Sequence, residues 1–311
     1  MGRKHRDFIT LEPFTREELT EIIELGLSQK KDPGHYRYTK VLTGKIVGLF
    51  FEKPSLRTRL SFESAVYQLG GQCVYMGPET GPLGHRETLK DFARVTARYM
   101  DLLVLRTMKH ETITEIARFS EKPVINGLSD GFHPCQALGD CVTILEKVGK
   151  LKGVKIAYIG DANNVFRSLA FASIKLGMEL VIACPDKYGI PEPFQKIMQK
   201  VKEEAGSDAG SVKQEKDPMK AVANADVIYT DVWTSMGQES EAEERRTIFL
   251  PYQVNQEMIE RAPKAIIMHC LPAHRGEEIT DQALDGPRSV VYDQAENRMH
   301  GQRALLCKLL G

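Results

Sequence analysis

Apolar and polar positions alternate along this chain in a regular way: short β-branched runs are separated by amphipathic stretches of helical period. The order Thr15-Arg-Glu-Glu18 is a capping box and predicts a helix running through about Leu27. A strand over Lys45–Phe51 follows, then a helix to about Leu69, a strand over Gln72–Met76 and a helix near Glu87–Tyr99. Strands at Leu102–Leu105 and Pro123–Ile125 bracket a helix near Thr112–Phe119, and a long helix spans about Pro134–Val148. The second half repeats the pattern, with strands expected at Ile156–Gly160, Leu180–Ala183, Val227–Thr230, Ile266–His269 and Val290–Tyr292. The polar stretch Glu203–Lys216 reads as a surface loop or helix end, and Ala295–Leu310 has helical period. Buried strands joined by helices imply α/β architecture with parallel sheets and right-handed crossovers. We therefore expect two doubly wound domains, 1–149 and 150–294, divided near Lys150-Leu-Lys-Gly153, with the helix 295–311 packing back on the first.

Composition narrows the function. The 311 residues are 42% hydrophobic and 27% charged, and Lys plus Arg equals Asp plus Glu at 42 each, so no global field recruits nucleic acid or an anionic membrane. Any anion site must be local. No apolar run approaches the roughly 20 residues that span a bilayer. The basic start is followed by no apolar stretch of the signal-peptide kind, and Arg6 stands where a myristoylation signal needs Ser or Thr. Six scattered cysteines without a C-x-x-C pair argue against a zinc site and a disulfide framework and suit a reducing, cytoplasmic setting.

The strand ending at Phe51 runs into Glu52-Lys-Pro-Ser-Leu-Arg-Thr-Arg-Leu-Ser-Phe-Glu63. Ser55, Thr58 and the free amides of a helix start supply donors there, while Arg57 and Arg59 add charge whose planar fork suits phosphate oxygens. The structural alternative is an ordinary capped helix whose arginines pair with Glu52 or Glu63. No Gly-rich run ending in Gly-Lys-Ser/Thr is present, so an ATP site of that type is not indicated.

This segment resembles the S-T-R-T-R carbamoyl-phosphate motif of the aspartate and ornithine carbamoyltransferase family. Further segments match in the family's order: Gly84-His-Arg-Glu-Thr-Leu-Lys-Asp91, Leu105-Arg106, Asn126-Gly-Leu-Ser-Asp130 and His133-Pro-Cys-Gln-Ala-Leu-Gly-Asp140. They continue with Gly160-Asp-Ala-Asn-Asn-Val165, Asp231-Val-Trp-Thr-Ser-Met-Gly237, His269-Cys-Leu-Pro-Ala-His-Arg-Gly276 and Asp293-Gln-Ala-Glu-Asn-Arg298. Together they cover most of the chain.

The resemblance implies transfer of a carbamoyl group from carbamoyl phosphate to the δ-amine of L-ornithine, giving L-citrulline and phosphate, with no cofactor and no metal. It implies that Ser55, Leu56, Arg57 and Thr58 hold the phosphate. Arg106, His133 and Thr58 would meet the carbonyl oxygen, Gln136 the carbamoyl nitrogen, and Cys270, Leu271 and Arg298 the carbamoyl group. Asp231 would take the α-ammonium of ornithine, and Asn164, Ser235 and Met236 its α-carboxylate. It also implies a homo-oligomer, a trimer, whose Gly84–Asp91 segment lines a neighbouring subunit's site. Cys270 allows a covalent thiocarbamate in principle, but the family precedent is direct attack by the amine. Read neutrally, Gly237–Phe249 is a solvated flexible segment; by resemblance it closes over bound ornithine.

Four positions depart from the family pattern. Leu56 replaces a Thr, Pro82 stands where a Gln from the adjacent subunit is common, Ala162 replaces a Gly, and Arg167 is bulky. Leu56 and Pro82 are similar to branches that use N-acylated ornithine, yet those lack D-x-W-x-S-M-G. Competing readings are a carbamoyltransferase for N-acylated ornithine or putrescine, a catalytically silent metabolite-binding relative, and a dinucleotide enzyme. The last lacks G-x-G-x-x-G after its strand.

Overall fold

A computed structural model describes residues 5–34, 40–234 and 239–311. By packing, the chain divides into two compact units. One comprises Met1–Val142, Asn163–Ser168 and Glu296–Gly311, the other Thr143–Ala162 and Leu169–Ala295.

The first unit carries a parallel sheet of β1 (Ile46–Phe51), β2 (Gln72–Met76), β3 (Leu102–Arg106) and β4 (Val124–Leu128) in the order β2-β1-β3-β4. The helices Leu56–Gln68, Leu89–Tyr99 and His110–Phe119 make the crossovers. Its core places Phe50, Leu103, Leu105 and Val124 against Ala93, Ile113 and Ile116 from the helices. The N-terminal segment extends the sheet edge, with Phe8 N–H donating to Val124 O and Asn126 N–H to Phe8 O. Chain order reverses direction between β1 and β3, whose ends meet in register at Phe51 and Arg106. A doubly wound sheet leaves its ligand crevice at such a reversal. Arg106 and the segment after Phe51 therefore emerge where an anion can be met by both.

The second unit carries β5 (Lys155–Ile159), β6 (Glu179–Ala183), β7 (Ser211–Glu215), β8 (Val227–Thr230) and β9 (Ile266–His269), all parallel, in the order β7-β6-β5-β8-β9. Its reversal lies between β5 and β8, so Gly160–Ala162 and Asp231 leave neighbouring strand ends. Thr230 Oγ1 donates to Ile159 O at 2.7 Å and ties those ends together.

Two sequence expectations are corrected. Val290–Tyr292 is not a strand: the helix begins at Val291 and runs to Leu310, and only an isolated bridge joins Ser289 to Ile267. The apolar, β-branched Val290 and Val291 mark the buried start of that helix instead. Glu203–Lys216 is not all loop. The helix Glu192–Ala205 ends there, and Ser211–Glu215 is the edge strand β7, polar because one side of an edge strand meets solvent. The C-terminal helix packs within the first unit through Lys30 Nζ to Asn297 Oδ1 (3.1 Å), Arg303 Nε to Gln29 Oε1 (2.9 Å) and Lys308 Nζ to Glu21 Oε2 (2.6 Å).

Thr15 caps the helix Arg16–Lys31 reciprocally: its hydroxyl accepts Glu18 N–H at 3.2 Å and Glu18 Oε2 accepts Thr15 N–H at 2.8 Å. Thr15→Ala removes that cap, and urea unfolding of the variant should show a loss of about 1 kcal/mol.

Candidate functional site

In the first unit, the helix Leu56–Gln68 starts directly after β1 with Ser55 as its N-cap, the Ser55 hydroxyl accepting Thr58 N–H at 3.3 Å. The remaining first-turn amides, including that of Leu56, have no carbonyl upstream in the helix. The Leu56 side chain is 69% exposed, so only its backbone can serve an anion here. Glu63 pairs with Arg59 at 3.0 Å, and Arg59 also lies over the Tyr75 ring at 3.7 Å. Glu52 spends its carboxylate on backbone, accepting Leu83 N–H at 2.9 Å and Met108 N–H at 2.6 Å. It thereby ties the Gly84 segment and the turn after Arg106 to the end of β1.

Around this helix start the structure gathers cations. Arg106 is buried, and its guanidinium is pulled down to about 10 by burial first, then by the charges of Arg298 and Arg57. Arg298 Nη2 donates to Thr58 Oγ1 at 2.7 Å, which leaves the Thr58 hydroxyl hydrogen to point elsewhere. Gly139 permits this approach, since a Cβ there would lie 2.9 Å from Arg298 Cγ. Burial, followed by Arg298 and Arg106, pushes His133 well below its ordinary pKa, so the imidazole is neutral at pH 7. A neutral imidazole donates one hydrogen bond without adding a fourth charge.

Arg106 Nε, His133 Nδ1 and Gln136 Oε1 are buried here with no hydrogen-bond partner among the described residues. Buried polar groups are normally satisfied, and leaving one unpaired costs about 1–3 kcal/mol. Gln136 Nε2 is fixed by Asp140 Oδ1 at 2.9 Å, so its unpartnered oxygen is an acceptor beside unpartnered donors. Cations, donors and one acceptor together suit a small anion bearing an amide.

Asn164 opens the helix Asn164–Leu176, which Asn163 caps through Oδ1 to the amides of Val165 (3.0 Å) and Phe166 (3.1 Å). The Asn164 amide donates to Ser129 O at 2.6 Å. The Ser168 hydroxyl accepts His133 N–H at 2.8 Å and donates to Asn164 O at 3.0 Å, fixing the backbone of His133. Neither Ala162, which is buried, nor Arg167 takes the place of Asn164 in this arrangement.

In the second unit, Asp231 and Cys270 leave the ends of β8 and β9. Asp231 is 8% exposed and accepts the Cys270 thiol at 2.8 Å and Val232 N–H at 2.8 Å. His269, fully buried, accepts Leu271 N–H at Nδ1 (2.9 Å), so the proton sits on Nε2 and is donated to the buried Glu278 at 2.9 Å. These bonds hold Leu271 in the left-handed region at φ +56, a conformation that costs a branched residue about 1–3 kcal/mol and persists only where neighbours enforce it. Asp231, His269 and Cys270 offer three ligand atoms within 4.8 Å. Both imidazole nitrogens are already hydrogen-bonded, so the trio is a fixed polar cradle as it stands.

Ser235 and Met236 lie outside the described residues. Residues 237 and 238 of the Gly237–Phe249 segment lie outside them as well. Ala242–Phe249 is a helix whose Arg245 is buried and bonds Asp161 (2.6 Å), Trp233 O (2.9 Å) and Glu241 (3.0 Å). Glu278, Ser168 and Arg245 were not singled out from sequence. A motif scan registers Asn126–Asp130 and Gly160–Val165 as blocks, but not which member braces which.

Two strand-reversal sites, one cationic and one built on an acid–thiol pair, thus lie on two doubly wound sheets. Residues 6–146 match the family described as aspartate/ornithine carbamoyltransferase, carbamoyl-P binding domain, and residues 152–309 match its Asp/Orn binding domain. The chain belongs to the aspartate/ornithine carbamoyltransferase family. It is 50% identical over 307 residues to the ornithine carbamoyltransferase of Thermococcus kodakarensis, covering 98% of this chain and 96% of that one. The solved ornithine carbamoyltransferase of Pyrococcus furiosus superposes with TM-score 0.94 at 47% identity, over 100% of this chain and 99% of that one. The ornithine transcarbamoylase of Giardia lamblia gives 0.89 at 34% identity, over 99% and 98%.

Ser168→Ala strands the buried His133 N–H. Thermal unfolding should register a loss of about 1–3 kcal/mol, and a variant as stable as the parent would remove Ser168 from this bracing role.

Proposed function

We propose that the protein transfers the carbamoyl group of carbamoyl phosphate to the δ-amine of L-ornithine, yielding L-citrulline and phosphate. The observation that carries this reading is the crowding of Arg57, Arg106 and Arg298 around unpartnered Arg106 Nε, His133 Nδ1 and Gln136 Oε1. A phosphate dianion carrying a carbamoyl group would satisfy charge, donors and acceptor at once.

Ser55, Arg57, Thr58 and the Leu56 amide hold the phosphate. Arg106, His133 and the Thr58 hydroxyl face the carbonyl oxygen, and Gln136 accepts from the carbamoyl NH2. Cys270, Leu271 and Arg298 complete the carbamoyl contacts. Asp231 receives the α-ammonium of ornithine, and Asn164, Ser235 and Met236 its α-carboxylate. Residues 1–149 with 295–311 then form the carbamoyl-phosphate domain, and 150–294 the ornithine domain.

The uncharged δ-amine adds to the carbonyl carbon, and the carbonyl π electrons move onto oxygen. Arg106, His133 and Thr58 stabilise that oxyanion, each well-aimed donor contributing about 2.7–4 kcal/mol. Collapse breaks the C–O bond to phosphate, which leaves with the electron pair and takes the proton from nitrogen. A free alkyl ammonium has a pKa near ~10, so the neutral amine must be selected from a small fraction at pH 7. Desolvation beside Cys270 and the buried Asp231, whose charge goes to the α-ammonium, favours that selection.

An acylated α-nitrogen carries no charge for Asp231, and that supports free ornithine over its N-acyl derivatives. The protein acts as a homotrimer in the cytoplasm. Supporting assembly, Leu56, Leu60 and Tyr67 on the outer side of the helix and Val74 and Met76 on edge strand β2 are exposed apolar residues, a surface of the kind another copy covers. No helix among the described residues is long and apolar enough to cross a membrane.

Turnover should be measured with ornithine, N-acetylornithine, putrescine and aspartate as acceptors. Ornithine should be strongly preferred, and Arg57→Gly should nearly abolish turnover with every acceptor. Asp231→Ala should mainly raise KM for ornithine. Preference for putrescine or an acylated substrate would overturn the acceptor assignment, and a monomer in sedimentation would overturn the assembly.

A further inference from the structure

His110, at the start of the helix His110–Phe119, has no part in the reaction as drawn, yet it touches the loop that leads to His133. Its Nδ1 lies 2.9 Å from Ser129 Oγ. Its backbone N–H donates to Asp130 Oδ1 at 2.8 Å, and its ring meets Phe132 edge-on at 5.0 Å between centroids. Gly131 between them has no room for a side chain without crowding His110, whose Cβ would lie 3.2 Å from an added Cβ.

Ser129 is the centre of this loop. Its backbone N–H donates to Phe132 O at 3.0 Å, closing the turn that precedes His133. Its carbonyl receives the Asn164 amide at 2.6 Å. Its hydroxyl oxygen accepts Asn126 Nδ2 and Phe132 N–H, both at 3.3 Å. With two bonds accepted, the hydroxyl has one hydrogen to give. The candidates are Phe132 O at 3.3 Å and His110 Nδ1 at 2.9 Å, and the shorter contact wins. His110 Nδ1 is then an acceptor and the imidazole is neutral with its proton on Nε2. A protonated His110 would present N–H to a hydroxyl whose lone pairs are already taken.

We infer that His110 is a positioning residue: by accepting the Ser129 hydroxyl it fixes one serine that sets both the His133 turn and the Asn164 side chain. The inference rests on the roles proposed above for His133 and Asn164. Groups facing the imidazole fit a neutral ring. Burial lowers its pKa, and this outweighs the raising influence of Asp130 and Glu111; Lys109 turns to Asp130 at 3.4 Å. The brace is therefore whole at neutral pH and fails as pH falls and the ring takes up a proton.

The test is steady-state kinetics on His110→Phe and His110→Asn across pH. Asn can place its amide oxygen near the Nδ1 position, while Phe cannot accept at all. His110→Phe should lower kcat with ornithine by about ten- to a hundredfold, the scale of a misplaced catalytic group. KM for carbamoyl phosphate should change far less, because Ser55, Arg57 and Thr58 stay put. His110→Asn should recover most of kcat and, having no titratable ring, move the acid limb of its kcat profile to lower pH. Parental kcat in His110→Phe, or an unshifted acid limb in His110→Asn, overturns the inference. Should the Phe variant fail to fold, the acid limb of the Asn variant decides alone. A wild-type protein inert toward carbamoyl phosphate and ornithine would instead sink the functional reading, a result distinct from either variant outcome.

Discussion

The first unit depends on holding like charges together at a strand end. Arg57, Arg106 and Arg298 repel one another, and burial deprives Arg106 of the water that would screen them. Such an arrangement is unfavourable in the empty protein, and the fold must supply the difference. It does so through surrounding structure: β1 and β3 fix Arg106 in register with Phe51, and the Thr58 hydroxyl receives Arg298. On the proposed reading the cost returns as affinity when a dianion arrives. Neutrality of His133 belongs to the same constraint, since a fourth cation would raise the cost without adding a better donor to a carbonyl oxygen.

The second unit solves a different problem with a different device. Its strand ends carry an acid and a thiol at hydrogen-bond distance, and behind them a buried histidine–glutamate pair holds the Leu271 turn. Asp231 with Cys270 and His269 with Glu278 are each paired here. The first unit leaves Arg106 Nε, His133 Nδ1 and Gln136 Oε1 without partners among the described residues, where the proposed reading seats the carbamoyl donor, whereas Asp231 and Cys270 in the second unit satisfy each other. Both groups of residues sit where parallel sheets reverse chain order, which on the proposed reading lets one architecture serve two ligands of unlike chemistry.

Much of this was legible in the chain itself. Runs such as Leu102–Leu105 and Val227–Thr230 are apolar on both faces and are unmistakable as buried parallel strands. Ser-Leu-Arg-Thr-Arg after a strand announces a helix N-terminus with cations. The failures share a physical cause: period and propensity are local, whereas their outcome was decided by neighbours far along the chain. Ser211–Glu215 is polar because it lies at a sheet edge, and only β6 makes it a strand. Val290 and Val291 look like a strand until the buried helix they begin is seen. Ser168 meets His133 across 35 positions and Arg245 meets Asp161 across 84, so nothing near either residue betrays its partner.

The central claim is that the crowded guanidinium groups form an anion site for carbamoyl phosphate, and calorimetry with an unreactive phosphonate analogue of that molecule tests it most directly. The account predicts saturable binding of one analogue per chain, weakened about ten- to a hundredfold in Arg106→Met, which keeps length but removes a charged donor. Equal affinity in Arg106→Met and the parent protein, or no heat of binding to the folded parent, would contradict it.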